Sequence, residues 1–304
     1  MKNVIVLGSL NMDLSIQCED LPKSGETING FDFFVNPGGK GGNQAVACAK
    51  LGTNTNMIAN IGNDVFGNEI LEALKKYKVN IENIQISKED STGIAMVIRS
   101  HNDNRIILGN GANHTLNLEF VKKKLKKISK PGDIFLTQLE NEFTLVNEGI
   151  VYAKELGLYT ILNPAPARTL NDEIYKNLDL VVVNQSECQE LTGIFPNDEE
   201  TSLEALKVFE KKQVKAIITL GMQGSITNYD NEPIFVPIKK VDTVDTTSAG
   251  DAYIGAICSC LAEGTNMKYA LEFATKIAAI TVTRRGAQVS IPYKEEVKNY
   301  FKED

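Results

Sequence analysis

Short runs rich in valine and isoleucine alternate along this chain with segments whose apolar residues recur every three or four positions. "VIVLG" (4–8) has the length and β-branched content of a buried strand, and "GNQAVACAKLG" (42–52) continues with a helical period. "TNMIANIG" (55–62) reads as a second strand and "DVFGNEILEALKKYK" (64–78) as an amphipathic helix. The alternation runs on through "DIFLTQLE", "TLVNEGIVYAKELG", "YTILN", "DLVVVNQ", "SLEALKVFEKKQ" and "KAIITLG". Strands separated by helices of this length predict βαβ units and a mostly parallel sheet covered on both faces. No repeat, low-complexity tract or long linker interrupts the pattern, so one continuous α/β domain over 1–304 is expected.

Two stretches break the rhythm. "DLSIQCEDLPKSGETINGFDFFVNPGG" alternates apolar, aromatic and turn-forming residues without a helical period. "TGIAMVIRSHNDNRIILGNGAN" reads as two strands joined by a polar turn at "HNDN". Both are β excursions from the α/β body. They would serve equally as an ordinary edge hairpin or as cover for a site or a second subunit.

Composition narrows the partners. A net charge of −7 over 304 residues argues against nucleic acid, which needs clustered Lys and Arg. It does not exclude a small anion, because local dipoles outweigh net charge at short range. Cys18, Cys48, Cys188, Cys258 and Cys260 are scattered without zinc spacing, and His101 and His114 are too few for a histidine-rich metal site. "MKNVIVLGSLNMD" does not read as a signal peptide, and no run approaches the roughly 20 apolar residues of a membrane span. A reduced, cytoplasmic protein is expected.

Five short segments carry candidate chemistry. "GSLNMD" follows the first strand, where α/β sheets place ligands. Asn11 and Asp13 there would bond a polyol or stabilise their own turn. "NPGGKGGNQA" crowds four glycines around Lys40 at a helix start, but Gly41 follows the lysine where a phosphate-binding P-loop needs Ser or Thr. In "VVVNQSECQEL", Asn184 and Glu187 suit water-mediated Mg²⁺ or a capping box. "ITLGMQG" ends a strand with Thr219, Gly221 and Gly224, a turn able to accept a flat ring or a phosphate. In "VDTTSAGDAYIGA", Gly250 and a helix start would aim backbone N–H groups at an anion. Asp251 beside them would take a proton from a hydroxyl, or would only cap the helix.

Together these segments resemble the ribokinase branch of the PfkB family of carbohydrate and nucleoside kinases. "GSLNMD", "GGKGGNQA", "GNDVFG", "QLE", "NPAPAR", "NQSE", "TLGMQG", "DTTSAGD" and "TRRGAQVSIP" all occur, in that order, across nearly the whole chain. The resemblance implies a three-layer α/β/α fold with a small β-sheet lid from about 14–37 and 91–110, and a homodimer formed through that lid. It implies transfer of the ATP γ-phosphoryl group to the 5-hydroxyl of D-ribose, with 2-deoxyribose, another sugar or a nucleoside as the alternative acceptor.

By position, the resemblance assigns Asn11, Met12, Asp13, the 39–43 segment (Gly39, Lys40, Gly41, Gly42, Asn43) and Glu140 to the sugar, and Asp251 to the general base. The N–H groups of Ser248, Ala249, Gly250 and Asp251 would form the anion hole. Asn184, Thr219, Leu220, Gly221, Met222, Gln223, Gly224 and Thr275 would line the ATP site, with Glu187 organising Mg²⁺ through water. Asp245, Thr247, Thr281, Arg284, Gly286 and Ser290 would hold a potassium ion, largely through backbone carbonyls, with the Arg284 side chain pointing away.

Some positions depart from the family pattern. Gln185 replaces a common glutamate, "GDAYIG" replaces Gly-Asp-Thr-Phe-Asn-Gly, and Met12 introduces bulk that would favour a deoxy or otherwise modified sugar. A sugar-binding regulator without catalysis is disfavoured because Gly250 and Asp251 are both present. A nicotinamide oxidoreductase is disfavoured because no G-x-G-x-x-G follows the first strand.

Overall fold

The computed structural model describes residues 1–101, 103–230 and 232–301, so part of the "HNDN" turn lies outside the described residues. The chain opens with β1 (Val4–Leu7), β2 (Asn11–Gln17), β3 (Phe31–Gly38) and α1 (Lys40–Lys50). It continues with β4 (Thr55–Gly62), α2 (Val65–Lys76), β5 (Ile84–Ser87), β6 (Gly93–Ser100), β7 (Asp103–Gly109) and α3 (Leu118–Ile128). Next come β8 (Ile134–Thr137), α4 (Phe143–Glu155), β9 (Tyr159–Leu162), α5 (Asp172–Tyr175), β10 (Leu180–Asn184), α6 (Gln185–Thr192) and α7 (Glu199–Lys211). The last elements are β11 (Lys215–Thr219), β12 (Ser225–Thr227), β13 (Ile234–Val236), α8 (Ala249–Glu263), α9 (Met267–Thr281) and α10 (Lys294–Phe301).

The larger sheet has the order β13-β12-β11-β10-β9-β8-β1-β4-β5. From β5 to β11 every pairing is parallel, and β12 and β13 add an antiparallel edge. Strand alternation divides β1 between two cores. Val4 and Val6 join the cluster packed on α1, α8 and α9, while Ile5 and Leu7 join the cluster on α4 and α7. Burial on both faces explains why these strands read as unbroken apolar runs.

The two irregular stretches form a separate sheet in the order β3-β2-β6-β7. β2 pairs with β6 in parallel and with β3 antiparallel, and β6 and β7 form the expected hairpin. Large apolar side chains on this sheet, among them Phe31, Phe33, Met96, Ile106 and Ile107, remain exposed. No helix among the described residues is long and apolar enough to cross a membrane. The antiparallel edge and helices α9 and α10 lie beyond the alternation traced from the sequence.

Candidate active site

In the larger sheet β1 has β4 on one side and β8 on the other, so the chain changes direction between β1 and β8. Open α/β sheets present a crevice at the carboxyl ends of such strands. Ser9, just past β1, donates from its hydroxyl to Glu140 Oε2 at 2.5 Å, and the Lys40 backbone N–H donates to the same oxygen at 3.1 Å. The glycines around Lys40 have a steric origin. A Cβ on Gly41 would lie 2.6 Å from Gly8 C and Ser9 N, and Gly39 has φ 82°. Only a chain without side chains there lets α1 begin directly against the β1 turn.

Asn11 and Asp13 share one face of β2. Asn113 Nδ2 donates to Asn11 Oδ1 at 2.8 Å, and Asn113 Oδ1 accepts from Leu10 N at 2.9 Å. Sequence reasoning misses Asn113, because nothing in the residues around it joins it to a strand a hundred positions earlier. Met12 is a correction. Its alternate position on β2 buries its side chain completely in the core with Leu10 and Val46, so that side chain brings no bulk to the pocket.

Asp13 accepts no hydrogen bond among the described residues. Burial, then the nearby Glu140 and Asp251 carboxylates, push its pKa up to about 7 against the pull of Lys40. Burial depresses the Lys40 ammonium, but Asp251, Glu140, Glu187 and Asp13 outweigh this and hold its pKa above the ordinary lysine value. Four carboxylates therefore surround one ammonium.

Asp251 stands in the first turn of α8 and makes no helix cap. Its Oδ1 accepts from Gln44 Nε2 at 2.9 Å and its Oδ2 from Asn43 Nδ2 at 3.0 Å. Asn43 Nδ2 also reaches Ser248 Oγ at 2.9 Å. The turn is made by Ser248, at φ 60°, and not by Gly250 as expected. A Cβ on Gly250 would meet nothing within 4 Å, so its glycine leaves open space above the helix end. Ala249 N bonds back to Thr246 O at 3.2 Å, which removes it from the expected anion hole. The N–H groups of Ser248, Gly250 and Asp251 have no hydrogen-bond acceptor among the described residues. Three unpartnered donors at a helix start suit an anion.

Asn184 and Glu187 form the expected capping box, with Glu187 N donating to Asn184 Oδ1 at 2.8 Å and Asn184 N to Glu187 Oε2 at 2.9 Å. Burial raises the Glu187 pKa, opposed by the Asn184 backbone donor and Lys40. The carboxylate thus faces the same charged cluster as Asp251. Its oxygens retain lone pairs suited to waters of a hydrated Mg²⁺.

Thr219 ends β11, and Gly221 and Gly224 take φ 55° and 129° in the turn after it. A Cβ on Gly224 would lie 2.1 Å from Val236 O, so this turn packs against β13. Phe235 to Lys239, Glu272, Thr275 and Lys276 line a cavity of about 320 Å³ next to it. Leu220 is buried in the core, Met222 is largely exposed, and Gln223 donates to Asn197 O. The 235–239 wall carries apolar residues on a segment absent from the sequence-level pattern.

Of the residues expected around potassium, the Asp245 carboxylate holds Thr247 and Gly286. Oδ1 accepts from Thr247 N and Oγ1 at 2.9 and 2.6 Å, and Oδ2 from Gly286 N at 3.0 Å. Val282 O accepts from Val244 N and Asp245 N, which ties the end of α9 to the same loop. Thr281 and Ser290 are fully buried, while the Arg284 guanidinium turns to Glu296 at 2.8 Å. A carboxylate and backbone carbonyls are hard-oxygen donors, the chemistry that a monovalent cation takes.

The sequence profile of the pfkB family carbohydrate kinases matches residues 1–294. Ribokinase from Schizosaccharomyces pombe is 39% identical over 99% of this chain and 98% of its own length. Deoxyribokinase from Salmonella typhi is 31% identical over 98% of each. The structure of Arabidopsis thaliana ribokinase complexed with ribose and ATP superimposes with a TM-score of 0.89 and 30% identity, covering 100% of this chain and 99% of that one.

Proposed function

Since the chain belongs to the pfkB family of carbohydrate kinases, we propose that it is an ATP-dependent ribokinase that phosphorylates D-ribose at the 5-hydroxyl. The observation that carries this reading is the start of α8. Asp251 stands beside three unpartnered N–H groups and in one charged cluster with Asp13, Lys40 and Glu140.

Asn11, Asp13, Asn43 and Glu140 hold the sugar hydroxyls, and the backbone of 39–42 lets the ring approach closely. Asp251 accepts the proton of the 5-hydroxyl as that oxygen bonds to the γ-phosphorus. The bond from phosphorus to the bridging oxygen breaks, and ADP departs. The N–H groups of Ser248, Gly250 and Asp251 meet charge on the migrating phosphoryl group, with Lys40 neutralising the same region. The cavity at Thr275 and the Gly221–Gly224 turn take the nucleotide. Glu187 and Asn184 would hold waters of Mg²⁺, which supplies charge neutralisation on the phosphates. Asp245, Thr247, Thr281, Arg284, Gly286 and Ser290 would hold potassium, which fixes the loop leading into the anion hole.

The four-stranded sheet acts as a lid over the sugar, and its exposed apolar face joins a second copy in a homodimer. Sedimentation as a monomer at micromolar concentration would refute the dimer. Five unpaired, buried cysteines suit a reducing cytoplasm.

ATP consumption with ribose, 2-deoxyribose, fructose and adenosine, in potassium and magnesium salts, tests the assignment. Ribose should give the highest kcat/KM, and a low rank for ribose would overturn it.

A further inference from the structure

A chain of side-chain amides joins the two carboxylates given separate tasks above. Gln44 is fully buried one turn into α1, and its Nε2 donates to Asp251 Oδ1 at 2.9 Å and to Asn163 Oδ1 at 3.1 Å. Asn163, at the end of β9, donates from Nδ2 to Val182 O at 3.1 Å and to Glu187 Oε2 at 3.3 Å. Behind them Gln138 Nε2 donates to Gln44 Oε1 at 2.6 Å.

The direction of every bond follows from one end. Val182 O is a carbonyl and only accepts, so Asn163 must turn its NH₂ that way and its oxygen toward Gln44. Gln44 must then present its own NH₂ to Asn163, and the second N–H of that group reaches Asp251. Its oxygen is left for Gln138. Asp251 consequently meets N–H donors on both oxygens, from Gln44 and Asn43, the arrangement an ionised carboxylate needs and a protonated one does not.

We propose that Gln44 and Asn163 are positioning residues that hold Asp251 ionised and in register with Glu187, so that proton acceptor and metal-side carboxylate move as one unit. This rests on the reading of Asp251 as general base. Neither amide needs to touch sugar or nucleotide. The charged groups facing Asp251 are Lys40 from α1, Asp13 from β2, Glu140 beyond β8 and Glu187 from α6.

The test is Gln44→Glu, which keeps the shape and the contact to Gln138 but replaces the donor to Asp251 with an acceptor. A folded variant should lose at least 100-fold in kcat while KM for ribose stays within threefold. The acid limb of its kcat–pH profile should move up by at least one pH unit. Gln44→Met, which removes the donor without adding charge, should lose about tenfold and move the limb less. Melting curves establish folding. A folded variant with kcat within threefold of the parent and an unmoved acid limb would overturn the proposal, and so would failure of both variants to fold, since the amides would then serve folding alone. Asp251→Asn is run in parallel. If it retains turnover, the general-base reading fails first. If it is inactive while Gln44→Glu is normal, only the amide chain is refuted.

Discussion

Replacing Asp13 by Asn should stabilise the ligand-free protein while removing its grip on the sugar. The Asp13 carboxylate lies against Gly38, where an added Cβ would come within 2.1 Å of Oδ2, and it has no hydrogen-bond donor among the described residues. Burial, Glu140 and Asp251 raise its pKa from 3.8 to about 7. A carboxyl group whose pKa is higher folded than unfolded costs nothing below the unfolded value. The cost grows as pH rises from about 4 to 7 and is complete above that. At 1.36 kcal/mol per unit, the ceiling at pH 8 is about 4 kcal/mol, and water in the open crevice screens it toward about 2. For a chain of this length that is a gain of about 3–6 °C in melting temperature for Asp13→Asn at pH 8. The gap should shrink by more than half at pH 5, where the parent carboxyl is protonated. Differential scanning fluorimetry without ligand at both pH values measures it, and calorimetric titration with ribose measures the lost binding. An equal or lower melting temperature at pH 8, or a gap that does not narrow with acid, would refute the reasoning.

Asp251→Asn should lower kcat by about 10²–10⁴ and leave ATP binding within a few-fold by titration. The fold should tolerate it, because Asn43 can turn its unpartnered Oδ1 toward the new amide. Gly250→Ala should gain up to about 1 kcal/mol from helix propensity, since its Cβ meets nothing within 4 Å. Its kcat should fall at least 100-fold because that methyl occupies the path of the phosphoryl group; a stable, fully active variant would count against the anion hole. Potassium should accelerate turnover relative to sodium at equal ionic strength, and equal initial rates would remove the cation role of the Asp245 loop.

How much of the site is legible in the sequence depends on whether its chemistry is local. Glycines stand out because a positive φ or a close approach admits little else, so the residues alone mark the 39–42 and 221–224 turns. Asp251 is conspicuous because an acid after Ala-Gly exceeds what capping requires, and it makes no cap. Ambiguity arises where one geometry serves two purposes. The Asn184–Glu187 capping box is real, and the same carboxylate faces Lys40. Met12 misleads because motif adjacency ignores the two-residue period of a strand, which sends it to the core between two polar neighbours.

The alternation of strands and helices, the βαβ layering and the segments that turn sharply can be read from the residues alone, because they follow from periodicity and backbone sterics within a few positions. It takes the folded chain to join Gln44, Asn163 and Glu187 in one hydrogen-bonded chain to Asp251 and to set Asn113 against Asn11. Hydrogen bonds are directional and short, and partners separated by 24 to 207 positions carry no local pattern that announces them.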